Sequence, residues 1–235
     1  MLTPPPVFGW ESPNTRLLAD NYATSGFYSY IPDLHNGDSI PLSFLQLAEP
    51  PQKARNQASD DPIAAAKTTA LISITLTPWL HAHRDSISHP LISSFIDTIR
   101  NIPGTRSVGA IGFCWGGRYA ILQARDRPLL PEEGSSSITT TTTPREASTA
   151  DGGGVDAAYA CHPSLLAVPE DLEAVTKPLS LALAELDPIL SESQIAGIRE
   201  VMAGKVGGVP WEVKVRVLYV GFFRILAGLG GYASW

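Results

Sequence analysis

The stretch "AIGFCWGGRYA", Ala110 to Ala120, constrains the chain more tightly than any other. "SVGAIGF", Ser107 to Phe113, is a short apolar run, the pattern of a strand buried on both faces. Gly116 to Arg125 is helix-compatible, so Cys114 stands at a strand-to-helix bend with a glycine two residues to either side. Gly112-Phe113-Cys114-Trp115-Gly116 in that setting fits a nucleophile elbow with cysteine in place of serine. Glycines belong at its flanks because the bend strains the nucleophile's backbone and side chains there would strike neighbouring chain. A helix starting at Trp115 favours a thiolate and donates a backbone N–H to an oxyanion. The competing reading is a core sulfur beside packing glycines, because free cysteine is among the most buried residue types.

The rest of the chain alternates between helical and strand-like segments. Asn14–Thr24 reads as a helix capped by Asn14, with Leu17, Leu18 and Tyr22 on one face. Phe27–Asp33 reads as a strand running into a loop, Pro62–Trp79 as a helix, and Pro90–Arg100 as another with Leu91, Phe95, Ile96 and Ile99 inward. Val155–Pro163 and Pro178–Pro188 are strand-like, Ser191–Met202 is a capped helix, and "WEVKVRVLYV" alternates as a strand. This order predicts one α/β domain over residues 1–235, with a mostly parallel sheet covered on both faces. Residues 131–154, rich in Ser, Thr and Gly, are predicted to be an exposed disordered insertion.

Composition excludes several functions. A net charge of −6 with scattered basic residues argues against nucleic acid. Two cysteines, Cys114 and Cys161, are too few for a disulfide framework, and with no secretory signal visible they predict a cytoplasmic protein. Val217–Trp235 is apolar, but Arg224 and several glycines break it, where a membrane span needs ~20 apolar residues. His81, His83 and His89 lack the spacing and partners of a metal site and read as a solvated helix end, so no metal or cofactor is expected. His35 and Asp38 stand either at a pocket mouth or in a turn built on Asn36-Gly37.

In elbow hydrolases the order along the chain is nucleophile, acid, base. Asp187, after the strand ending near Ala184, occupies the place of the acid, or else caps the following helix. "VFGWESPNTRLLADNYATSGF", "YIPDLHNGDSIP", "GAIGFCWGGRYA", "VDAAYACHPSLL" and "EDLEAVTKPLSLALAELDPIL" together resemble the dienelactone hydrolases, particularly their fungal members. The resemblance spans Val7 to about Leu190 apart from the Thr-rich insertion. It implies an α/β-hydrolase fold and a Cys-His-Asp triad acting on a small ester or lactone. By position it makes Cys114 the nucleophile, Asp187 the acid, and the backbone N–H groups of Trp115 and Val7 the oxyanion hole.

Two departures stand out. The family's histidine falls just after the last strand in a His-Gly-Phe context, whereas here Val220 precedes Gly221 and Phe222, and no histidine follows His162. Resemblance ends beyond Phe222, pointing to a frameshift, a retained intron or a mispredicted exon. His162 is the remaining candidate for a substitute base; the alternative is a histidine that shapes the pocket or holds a loop. At the other end "MLTPPP" stands where a central strand is expected, and its prolines lack the N–H groups of a ladder, predicting a gap in the sheet.

Overall fold

Three helices, α1 (Pro13–Thr24), α2 (Pro62–Ala82) and α3 (Asp85–Arg100), precede the strand that leads to Cys114. That strand is β1 (Gly109–Phe113), followed by α4 (Trp115–Gln123), β2 (Ala157–Cys161), α5 (Glu170–Glu173), β3 (Leu179–Leu186), α6 (Glu192–Ala203) and β4 (Trp211–Tyr219). The computed structural model describes residues 1–44, 62–126, 154–187, 190–205 and 208–219. The expected disordered insertion lies outside the described residues except for Gly154, which is buried with its carbonyl accepting from Arg100; Val220 and all but the first three residues of the apolar tail also lie outside them. No helix among the described residues is long and apolar enough to cross a membrane.

The strands form one parallel sheet in the order β1-β2-β3-β4, as the α/β reading requires. Parallel neighbours need crossovers, and α4, α5 and α6 lie in the three connections. Pairing of Phe113 with Cys161 and of Cys161 with Ala182 aligns the strand ends. Cys114, His162 and Asp187 therefore follow successive strands at one edge, where α/β sheets carry ligands. Leu181 and Leu183 of β3, Ile92 and Ile96 of α3, and Ile198 and Met202 of α6 are at most 1% exposed. Each such side chain contributes about 2 kcal/mol of burial.

Several boundaries differ from the sequence reading. Residues Met1–Thr3 do enter the expected gap: Leu2 bridges in parallel to both Tyr30 and Ala110 and is fully buried. Leu2 N–H donates to the Gly109 carbonyl, and Leu2 O accepts from Ile111 N–H. The prolines leave no gap there because the residues before Pro4 carry the pairing, Thr3 N–H donating to the Tyr30 carbonyl and Tyr30 N–H to the Met1 carbonyl. Among the described residues Phe27–Asp33 forms a β-bridge only at Tyr30, with the Tyr28 carbonyl accepting from the Met1 amino group. The N-cap of α1 is Ser12, ahead of Pro13 at the first helical position, and Leu17 is exposed while Thr15 and Ala19 face inward. Helix α3 starts five residues before Pro90, at Asp85, which Arg118 of α4 holds in place. Its inward face is Ile92, Ile96 and Ile99, with Leu91 half exposed. Helix α6 is capped as expected, Ser191 and Gln194 forming a reciprocal capping box.

Candidate active site

Cys114 has φ 54° and ψ −124°, a conformation a β-carbon resists, at the junction of β1 and α4. A β-carbon at Gly112 would lie 2.1 Å from the Gly116 carbonyl oxygen, and one at Gly116 would lie 2.2 Å from that of Pro4. Both flanking glycines are thus places where backbone touches backbone. Cys114 N–H donates to the Cys161 carbonyl at 3.2 Å, and the Cys114 carbonyl accepts from Ser164 N–H at 3.0 Å, so β2 and the segment after it clamp the bend.

The thiol is enclosed. Cys114 is 4% exposed, and its Sγ lies 3.1 Å from Ser164 Oγ. Burial pushes the thiol up, the Asp187 charge adds to that, and hydrogen bonds from Ser164 and the Trp115 N–H oppose it. The resting sulfur is protonated and sealed, which differs from a side chain aimed into an open crevice. Ser164 escaped the sequence reading, although "ACHPS" placed it two residues past His162; only the fold shows that it meets the sulfur.

The other candidates take distinct places. Asp187 is half-buried, accepts from Leu190 N–H, and bears electrostatically on both Cys114 and Cys161. The Val7 carbonyl accepts from Ile40 N–H, while no described residue takes up the Val7 N–H. The chain leading to Val7 crosses the elbow at the contact between Pro4 and Gly116. His162 has φ 38° and a ring packed near Phe113 at 6.3 Å between centroids; burial pushes it down to about 4. Among the described residues the hydrogen bond at the Cys114 sulfur is to Ser164 Oγ, not to the His162 ring. Both cysteines are free thiols, and burial pushes Cys161 up to about 12.

A family model described as the dienelactone hydrolase family matches residues 4–132, more than half of the chain. The chain belongs to the dienelactone hydrolase family. Hydrolase pyvD of Aspergillus violaceofuscus is 23% identical over 181 residues, covering 77% of this chain and 52% of that protein. The carboxymethylenebutenolidase homolog of Xenopus tropicalis is 27% identical over 111 residues, covering 47% of this chain and 35% of that protein. The chain thus spans about half or less of the length of these two relatives. A crystal structure of a candidate dienelactone hydrolase from Klebsiella pneumoniae shares the α/β-hydrolase fold, with TM-score 0.56 and 16% identity over 98% of this chain and 86% of that one.

Behind the elbow of this dienelactone hydrolase-family chain lies an aromatic cluster that corrects two histidine readings. His83 is buried rather than solvated: it stacks on Trp79 with ring centroids 4.2 Å apart, and its Nδ1 meets the Trp79 carbonyl at 2.9 Å. His35 is only 2% exposed, wedged against Trp79, His83 and Trp115, so it supports Trp115 from behind instead of lining a pocket mouth. Its Nδ1 pairs with Ser39 Oγ at 3.2 Å, and its Nε2 has no hydrogen-bond partner among the described residues. Among the described residues no cluster of His, Cys, Asp or Glu could hold a metal ion.

Burial, with repulsion from His83 adding to it and Asp33 opposing, pushes His35 down from 6.5 to about 4. The unfolded chain therefore binds a proton that the folded chain refuses between those values, and stability falls as pH drops through that window. The loss traceable to His35 is about 2 kcal/mol by pH 5. Urea unfolding at pH 7 and pH 5 measures it: His35→Gln, which keeps a partner for Ser39, is expected to shrink the difference between the two pH values by about that amount. An unchanged difference would contradict the assignment; His162 acts in the same direction and accounts for a residual slope.

Proposed function

We propose that this chain carries a hydrolase site for small carboxylic esters or lactones, with Cys114 as nucleophile. Asp187 takes the role of the acid, and the N–H groups of Trp115 and Val7 stabilise the oxyanion. The observation behind this reading is the positive φ of Cys114 between two glycines in backbone contact, a strain that a merely structural sulfur does not require. Attack of the thiolate on the carbonyl forms a tetrahedral oxyanion, and expulsion of the alkoxide leaves an acyl-enzyme. Water then releases the acid and restores the thiol.

The histidine that would take the thiol proton is missing from its slot at Val220, so turnover is slow. Without a base, rate follows the thiolate fraction. Since Cys114 is raised above 9.0, hydrolysis of p-nitrophenyl acetate is expected to climb about tenfold per pH unit between pH 7 and 9 without a plateau near neutrality, after subtraction of solvent hydrolysis. Cys114→Ala is expected to lower the rate to that background. Equal rates in the parent and this variant would sink the enzymatic reading; a plateau abolished in His162→Ala would reveal a working substitute base. The second reading, an inactive hydrolase fold that binds a small carboxylate or a protein partner, draws on the sealed thiol bonded to Ser164. Retained ligand affinity with no turnover at any pH would favour it.

A further inference from the structure

Ser164 lies two residues past His162, on the segment that follows β2, and its hydroxyl oxygen is 3.1 Å from the Cys114 sulfur. Both residues are buried, at 6% and 4% exposure, so the contact is made away from bulk water. The backbone doubles it, because Ser164 N–H donates to the Cys114 carbonyl at 3.0 Å. The same segment is pressed against α4: a β-carbon at Gly117 would lie 3.2 Å from the Pro163 α-carbon. Hydroxyl and sulfur are therefore held in register by the chain that carries them.

The backbone around Ser164 is also bent in a way that the packing of its neighbours does not require. His162 and Leu165, neither a glycine, have φ 38° and 61° on either side of Pro163 and Ser164. Leu165 is 52% exposed, so its left-handed conformation serves no burial of its own side chain. What the two bends achieve is to turn Ser164 inward onto Cys114.

In the thiol state either atom can donate, but in the thiolate only the hydroxyl can, since the sulfur has lost its proton. Burial and the charge of Asp187, after β3, disfavour a charged sulfur, while Ser164 and the Trp115 N–H favour it. The proposed reaction commits the Trp115 N–H to the oxyanion, which leaves the Ser164 hydroxyl to the sulfur. Resting on the reading of Cys114 as nucleophile, we propose that Ser164 is a further catalytic residue, whose hydroxyl donates to the Cys114 thiolate and holds it for attack. The thiol proton passes to hydroxide from solvent, giving water, and Ser164 keeps its own proton. The sulfur's electron pair forms the new S–C bond while the carbonyl pair moves to oxygen. A hydrogen bond to a charged group changes the thiolate population by about thirtyfold. The lower basicity of the stabilised sulfur takes back about half of that on a logarithmic scale, leaving a gain of about fivefold.

Alkylation by iodoacetamide, followed by intact mass, reads the sulfur without any ester turnover. In a Cys161→Ala background Cys114 is the only thiol. There Ser164→Ala is expected to be alkylated about fivefold more slowly at each pH between 7 and 9, the two curves rising in parallel. Removing an oxygen opens space beside the sulfur, so a role confined to packing predicts an equal or faster rate, and either result would overturn the proposal. Hydrolysis of p-nitrophenyl acetate is expected to fall by a similar factor, with circular dichroism checking that each variant folds. Alkylation indifferent to Ser164→Ala, with hydrolysis still dependent on Cys114, strikes this inference alone. Slowed alkylation with hydrolysis independent of Cys114 strikes the enzymatic reading, and the catalytic role of Ser164 with it.

Discussion

Gly112→Ala is expected to destabilise the fold by about 3 kcal/mol or more, a fall in melting temperature on the order of 10 °C. The new methyl would stand 2.1 Å from the Gly116 oxygen, 2.5 Å from the Gly116 carbonyl carbon and 2.7 Å from the Gly117 α-carbon. All three are backbone atoms of α4, so no rotamer change relieves the clash. The helix itself cannot retreat easily, because Trp115, Tyr119, Ile121 and Leu122 on it are buried. Displacing α4 would also drag the Trp115 N–H away from Cys114. Gly197→Ala provides the contrast: in α6 the added carbon meets only Val168 Cγ1 at 3.2 Å, and a helix-interior alanine offsets the contact, leaving a change within about 1 kcal/mol. Thermal unfolding of the two variants side by side decides the matter. Similar melting temperatures would mean that the packing of β1 on α4 is looser than described.

The second large effect is expected at Asp171, far from the sulfur in sequence. Its carboxylate, with the side chain 8% exposed, accepts from Arg118 Nε at 2.7 Å, Arg125 Nη2 at 3.2 Å and Ala167 N–H at 2.9 Å. Arg118 continues the network to Asp85 at 2.6 and 2.9 Å, and Tyr119 Oη donates to the same carboxylate at 2.8 Å. Hydrogen bonds from Arg118, together with Tyr119 and against the effect of burial, hold Asp85 below the usual carboxylate range. One aspartate therefore ties α4, α5 and, through Arg118, the start of α3. Asp171→Asn keeps the shape but leaves Arg118 and Arg125 with one anion fewer in a poorly solvated place, a loss of about 3 kcal/mol. Chemical denaturation reads it directly. A cost below about 1 kcal/mol would show that the network is screened like a surface ion pair.

These two sites mark how far the sequence could be read. The elbow was legible because its requirement is local: five consecutive residues carry the strand, the bend and both glycines. Alternating apolar segments likewise revealed the parallel sheet, and the Ser-Glu-Ser-Gln start of α6 revealed its cap. The Asp171 network was not legible, since Arg118 meets carboxylates 33 and 53 positions away and nothing near Arg118 in sequence announces them. Nor was the exchange of Leu91 for Ile92 at the face of α3, where a proline at position 90 obscured the true start of the helix.

The chain's own order of residues determined the class of fold, the position of Cys114 at a strand-to-helix bend, and the absence of any histidine after His162. Tertiary structure alone decided that Leu2 fills the sheet beside β1, that His35 is buried behind Trp115, and that Ser164 rather than His162 meets the Cys114 sulfur. The physical reason is range. Periodicity and bend chemistry are properties of a few neighbouring residues, whereas burial and hydrogen-bond partnership depend on which distant segments the packing brings together.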